Sequence, residues 1–109
     1  QVSLIFGNRT QSDILCEDLL ESWAEESEGR LRVLHVLSAA SDGSAWRGAR
    51  GRIGRELIEA HAAPPSQDTL ILVCGPPPMY DTLCGPRDQK ELSGVLKEMG
   101  YSAEQVFKF

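Results

Sequence analysis

The sequence predicts an α/β protein, a parallel sheet with flanking helices, and three observations predict it. Short apolar runs alternate with segments of helical periodicity. The run Thr69 to Cys74 is nearly all apolar, as in a strand covered on both faces. The apolar runs stop at turn residues, Gly7-Asn8 in one place and Gly75 with three prolines in another. In such sheets ligands sit beyond the carboxyl ends of the strands. That rule singles out Gly7 to Thr10, Ser38 with its loop, Cys74 to Met79, and Phe109.

Val2 to Phe6 reads as a buried strand, and Thr10 or Ser12 can cap the helix that follows. That helix carries Leu15, Leu19 and Trp23 on one stripe, with Cys16, Leu20 and Ala24 beside it, and should end near Ser27 to Gly29. Asp13 near its start suits the helix dipole. Arg30 to Leu37 reads as the second strand. Ser38 to Gly51 is small and polar, a loop that Trp46 is expected to pin to the body. Gly54 to Ala62 reads as a short helix ended by Pro64-Pro65, and Thr69 to Cys74 as the third strand. The prolines after Gly75 suit a first helical turn, where a missing N–H costs nothing. Arg87 to Met99 has Leu92, Val95, Leu96 and Met99 at helical spacing with Gly100 as its cap, and Val106 to Phe109 is the last strand.

With 109 residues the chain suffices for one core, and a single compact unit is expected. The net charge of -5 gives no general attraction for nucleic acid, so no such partner is expected. Locally, Arg47, Arg50, Arg52 and Arg55 could hold a phosphate or form a solvated loop face. The longest apolar run, Leu70 to Cys74, falls far short of the roughly 20 residues that span a bilayer. Cys16, Cys74 and Cys84 have neither zinc spacing nor a disulfide framework, which suggests reduced thiols in an intracellular compartment. Cys16 is expected in the core and Cys84 at the surface. His35 and His61 lack metal-ligand neighbours and read as structural; Trp23 and Trp46 read as packing anchors. No charged leader precedes the first strand, so targeting information is expected elsewhere, or the chain is part of something longer.

Cys74-Gly75-Pro76-Pro77-Pro78-Met79 joins a soft thiol, a glycine that lets a ligand approach the backbone, and a rigid turn into a helix. An ordinary strand-to-helix turn could use the same residues. The segment is similar to the corresponding turn in cytochrome b5 reductases and in the flavin-containing end of eukaryotic nitrate reductases. Three further blocks resemble that family in order and spacing: Phe6-Gly7-Asn8-Arg9-Thr10 with Asp13-Ile14-Leu15, Trp46 with Gly51, and Val106-Phe107-Lys108-Phe109. The resemblance covers essentially all of the chain. It implies a Rossmann-like NAD(P)H-binding domain over residues 1–109, the C-terminal lobe of a two-lobe flavoprotein of the ferredoxin-NADP reductase-like superfamily.

In that family a hydride passes from NADH or NADPH to FAD, which delivers single electrons to a haem protein such as cytochrome b5. By matching position, the resemblance places Cys74 and Gly75 near the nicotinamide, with Cys74 positioning it for transfer, and Pro76, Pro77 and Met79 against the dinucleotide. It places Asn8, Arg9 and Thr10 by the adenosine or pyrophosphate, Ser38 at the adenine ribose, and Phe109 at the same sheet edge. Many NADH-specific members have a carboxylate where this chain has Ser38, and Arg52 stands where an aromatic residue is common, so NADH and NADPH both remain open.

The family's Gly-Thr-Gly-Ile-Thr-Pro turn and its flavin-barrel motif do not occur in these residues. By analogy the sheet lacks its first, central strand, between the strands at Val2 and Leu70. A lobe upstream would then hold FAD. The 109-residue chain alone is expected to be inactive and able to form a strand-swapped or strand-borrowing dimer. Localisation would be cytoplasmic or membrane-associated through other parts. A non-catalytic nucleotide-binding or interaction module of the same fold is the alternative.

Overall fold

The computed structural model describes residues 1–41 and 43–109, which fall into two compact units, Gln1–Ile53 and Gly54–Phe109.

The first unit is built on a parallel sheet in the order β1 (Val2–Asn8), β2 (Leu31–Leu37), β3 (Ala49–Arg50). Val2 pairs with Leu31 and the register runs unbroken to Asn8 with Leu37. This pairing carries β1 through Gly7-Asn8, two residues beyond the expected stop. Gly7 is accommodated because the Ile53 side chain packs there; a Cβ would stand 3.3 Å from Ile53 Cδ1. The two-residue β3 lies inside the segment expected to be wholly loop, since pairing with Val36 and Leu37 gives it a strand's hydrogen bonds without a strand's composition. His35 lies against Phe6 with ring centroids 5.9 Å apart, and both its ring nitrogens are buried without a partner.

Between β1 and β2 the chain makes a 3-10 turn (Gln11–Asp13) and then α1 (Glu17–Glu26). Cys16 interrupts them in the left-handed conformation, φ 56°. The interruption re-aims the helix. Ile14 is buried and Leu20 and Ala24 are half-buried, while Leu15, Leu19 and Trp23 lie on the exposed side. The expected packing stripe is therefore corrected: Trp23 is 51% exposed, and Cys16 is at the surface instead of in the core. Glu28 at φ 53° and Gly29 at φ 86° end the helix region as expected.

The second unit holds α2 (Arg55–His61), β4 (Ile71–Val73), α3 (Pro77–Leu83), α4 (Gly94–Glu98) and β5 (Val106–Lys108), with β4 and β5 parallel. Its core gathers Ile58, Val73, Tyr80, Leu83, Cys84, Leu92, Leu96 and Tyr101. Cys84 has no exposed surface, the reverse of the sequence expectation, and burial pushes its thiol pKa up, an effect Lys108 opposes.

The long helix expected over Arg87 to Met99 is replaced by irregular chain and a short α4. The carbonyls of Pro86, Gln89 and Glu91 all accept hydrogen bonds from Lys108 Nζ. Gly94 has φ 74°, and a Cβ on it would stand 2.5 Å from the Thr82 backbone oxygen, so only glycine lets α4 begin against α3. Gly100, φ 101°, caps the far end as expected.

Among the described residues no strand continues β1 or β4 on its unpaired side. The expectation that both faces of β4 are covered fails. Leu70 and Leu72 are 63% and 59% exposed, because no element of this unit lies over the face they form with Phe107 and Phe109.

Candidate functional site

Each unit presents residues at the carboxyl ends of its own strands. In the first, backbone hydrogen bonds extend the β1–β2 ladder past the strands themselves: Ser38 N–H donates to Asn8 O and Ala39 N–H to Arg9 O, both at 2.9 Å. Gly51 N–H donates to Leu37 O at 3.0 Å, which brings Arg52 to the same edge. Asn8, Arg9, Ser38 and Arg52 are therefore gathered by main-chain geometry alone. Arg9, Ser38 and Arg52 are exposed, and no hydrogen bond or ion pair is made by either arginine side chain. Asn8 Nδ2 is a buried donor without an acceptor, a cost that a ligand oxygen at this edge would relieve. A free donor and two uncommitted guanidinium groups fit the ribose and phosphate oxygens of a dinucleotide.

Thr10 is different. Its N–H and its hydroxyl both donate to the Asp13 carboxylate, at 3.1 and 2.7 Å. These bonds form a capping box at the start of the 3-10 turn. The loop after Ser38 is closed on itself: Trp46 Nε1 donates to Ala49 O, its ring lies 2.5 Å from where a Cβ on Gly48 would stand, and Arg50 donates to Trp46 O. Trp46 thus pins the loop to β3, not to the wider body.

In the second unit, Cys74, Gly75, Pro76 and Pro77 are all exposed directly after β4. Pro76 is the N-cap of α3, and Pro77 and Pro78 fill its first turn, so φ is fixed at three successive positions without losing a helical hydrogen bond. Met79 folds back over Gly75; a Cβ there would stand 2.3 Å from its sulfur. The turn is anchored by Tyr80, a buried residue whose hydroxyl donates to Phe109 O at 2.7 Å, while Phe109 N–H donates to Val73 O at 3.0 Å. Cys74, Gly75, Pro76, Pro77, Met79 and Phe109 are brought to one edge. Cys74 is a free, exposed thiol, and the described residues hold no cluster of potential metal ligands.

Sequence reasoning missed Tyr80 and Lys108. Tyr80 reads as an ordinary helical aromatic, and Lys108 as an outward residue between two phenylalanines; their partners lie 29 and 17 to 22 residues away.

Residues 1–85 match the family model described as oxidoreductase NAD-binding domain. The whole chain aligns with NADH-cytochrome b5 reductase 2 of Aspergillus niger at 42% identity, of Emericella nidulans at 40%, and of Scheffersomyces stipitis at 38%, covering 35%, 35% and 37% of those proteins. The chain therefore spans a little over a third of the length of these curated relatives. Among solved structures it is similar to the cytochrome b5 reductase domain of Ulva prolifera nitrate reductase, with TM-score 0.79 and 26% identity over 97% of this chain and 37% of that one. It is also similar to the CS-b5R domains of human Ncb5or in the NAD+ form, with TM-score 0.74 and 28% identity over 97% of this chain and 27% of that one.

Proposed function

We propose, on the premise that the chain belongs to the family of oxidoreductase NAD-binding domains, that it is the nicotinamide-nucleotide-binding part of an FAD-dependent reductase of the cytochrome b5 reductase type. In this reading a hydride passes from NADH or NADPH to FAD, and electrons leave singly for a haem protein such as cytochrome b5 or a nitrate reductase haem domain. The observation that carries it is the exposed Cys74-Gly75-Pro76-Pro77 turn at the carboxyl end of β4, held rigid by three prolines and by Tyr80. A hydride donor has to be held in one orientation for transfer to be fast, and a turn without backbone freedom does this.

Cys74 and Gly75 position the nicotinamide, with Pro76, Pro77 and Met79 against the dinucleotide and Phe109 beside them. Asn8, Arg9 and Arg52 serve the adenosine and phosphate oxygens, and Ser38 the adenine ribose. FAD, when bound, supplies the hydride acceptor; it is held mainly by an upstream lobe outside these residues. The protein is placed inside the cell, cytoplasmic or membrane-associated through other parts. All three cysteines are free thiols, and among the described residues no helix is long and apolar enough to cross a membrane. The isolated 109-residue chain, with β1 and β4 each paired on one side only, is expected to be inactive and to recruit a second copy through those edges.

The test is initial-rate kinetics with NADH and NADPH on the full-length protein. Flavin reduction by either nucleotide is the expected result; reduction by neither defeats the reading and leaves a non-catalytic module. Ser38→Asp then sharpens coenzyme choice. The added carboxylate should lower kcat/KM for NADPH by about tenfold or more relative to NADH, through repulsion of the 2′-phosphate.

A further inference from the structure

We propose that Lys108 is a positioning residue for hydride transfer, a latch that fixes the wall of the cavity beside the nicotinamide-side turn; this rests on the function proposed above. The Lys108 ammonium has three N–H donors, and all three are spent on backbone carbonyls: Pro86 O at 3.0 Å, Gln89 O at 2.8 Å and Glu91 O at 3.0 Å. Three carbonyls within six residues turn toward one cation, so segment 86–91 folds around the ammonium and does not continue as helix.

The other end of the latch is in the sheet. Lys108 is the register partner of Val73, the residue before Cys74, and the next residue, Phe109, donates from its N–H to Val73 O. Lys108 therefore ties segment 86–91 to the end of β5, where Lys108 and Phe109 hold Val73, the residue before the Cys74-Gly75 turn. Gly75, Pro77 and Phe109 line a half-open cavity of about 520 Å³ together with Arg87, Asp88 and Lys108. A lysine here is an uneconomical choice for stability alone. The half-buried Lys108 ammonium bonds to neutral carbonyls and forms no ion pair among the described residues, although Asp81 and Asp88 line the same cavity, so its desolvation is offset only in part. What it provides is convergence. No apolar side chain can hold three carbonyls at a point, and the planar fork of arginine cannot aim at all three.

The experiment is anaerobic stopped-flow reduction of the flavin by NADH in the full-length flavoprotein, comparing wild type with Lys108→Gln, Lys108→Arg and the exposed α4 control Lys97→Gln. Lys108→Gln is expected to lower the limiting rate of flavin reduction about tenfold, with the NADH dissociation constant changed by less than about threefold. Lys108→Arg, which keeps the charge and some of the bonds, is expected to fall between, and Lys97→Gln to match wild type. Amide exchange in segment 86–91 should accelerate in Lys108→Gln while that of Ile71–Val73 is unchanged. A Lys108→Gln protein that reduces flavin within about twofold of wild type, or whose rate falls only in proportion to its loss of bound flavin, overturns the proposal. Failure of wild type itself to reduce its flavin defeats the parent reading instead, so the two failures are distinguishable.

Discussion

The Gln1–Ile53 unit and the Gly54–Phe109 unit hold their exposed site residues by different means. In the first, main-chain ladders bring Asn8, Arg9, Ser38 and Arg52 to one edge, and the two arginine side chains stay uncommitted. In the second, side chains reach far along the sequence to fix the Cys74-Gly75 turn, Tyr80 to Phe109 and Lys108 to segment 86–91. The cores differ in the same sense. Of the eleven buried hydrophobic residues among those described, Ile14, Val36 and Leu37 belong to the first unit and the remaining eight to the second. A ligand's charged and hydroxylated parts tolerate adaptable partners, whereas a reacting ring needs a fixed one.

Glycine substitution offers the largest test of that contrast. Gly94→Ala combines a left-handed backbone with a Cβ 2.5 Å from the Thr82 oxygen, and is expected to cost about 3 kcal/mol or more of stability. Gly43→Ala in the first unit meets nothing within 4 Å and should stay within about 0.5 kcal/mol of wild type in urea denaturation. Equal costs would break the comparison.

Leucine truncation is next in size. Leu96, 1% exposed, should lose about 2.5 kcal/mol on Leu96→Ala, whereas Leu19→Ala, at a side chain 46% exposed, should lose under about 1 kcal/mol. Both tryptophans lie in the first unit and both tyrosines in the second, so the two signals report the units separately. The second unit should unfold at the higher urea concentration.

Tyr80→Phe removes the hydroxyl that donates to Phe109 O at 2.7 Å and, at 3.5 Å, to Val73 O, and should cost about 1 kcal/mol. Heteronuclear NMR should show the shift changes concentrated at Val73 to Gly75 and Phe109, with the first unit's resonances unmoved.

The smallest effect is on pH dependence. Burial raises the pKa of Cys84 above 9.0 and that of Tyr101 above 10.0. Above those values the unfolded chain loses protons that the folded unit keeps, so the second unit should lose stability as pH rises through 9 and beyond, while near-neutral pH leaves it unchanged. Cys84→Ala should remove the part of this slope that begins near pH 9.

Much of the fold is legible in the residues themselves. Val-Ser-Leu-Ile-Phe, Leu31 to Leu37 and Ile-Leu-Val specify strands by composition, and the short-range patterns at Ser27-Gly29 and Gly100 end helices where they should. Errors arose where a distant partner decided. Helical spacing over Leu92, Val95, Leu96 and Met99 is genuine, but Lys108 captures the carbonyls that a longer helix would need. The stripe of Leu15, Leu19 and Trp23 is equally genuine, yet the left-handed Cys16 turns it outward.

The same division holds at the candidate site. Local sequence determined the residue types and their strand-end positions, because turns, prolines and apolar runs act over a few residues. Tertiary structure decided which of those groups are committed and which are free. Thr10 spends its polar groups on Asp13, Cys84 is sealed in the core, Cys74 is open, and Tyr80 and Lys108 hold the frame. A side chain's hydrogen-bond partners and burial depend on what the folded chain brings back beside it, and that is not written in its immediate neighbours.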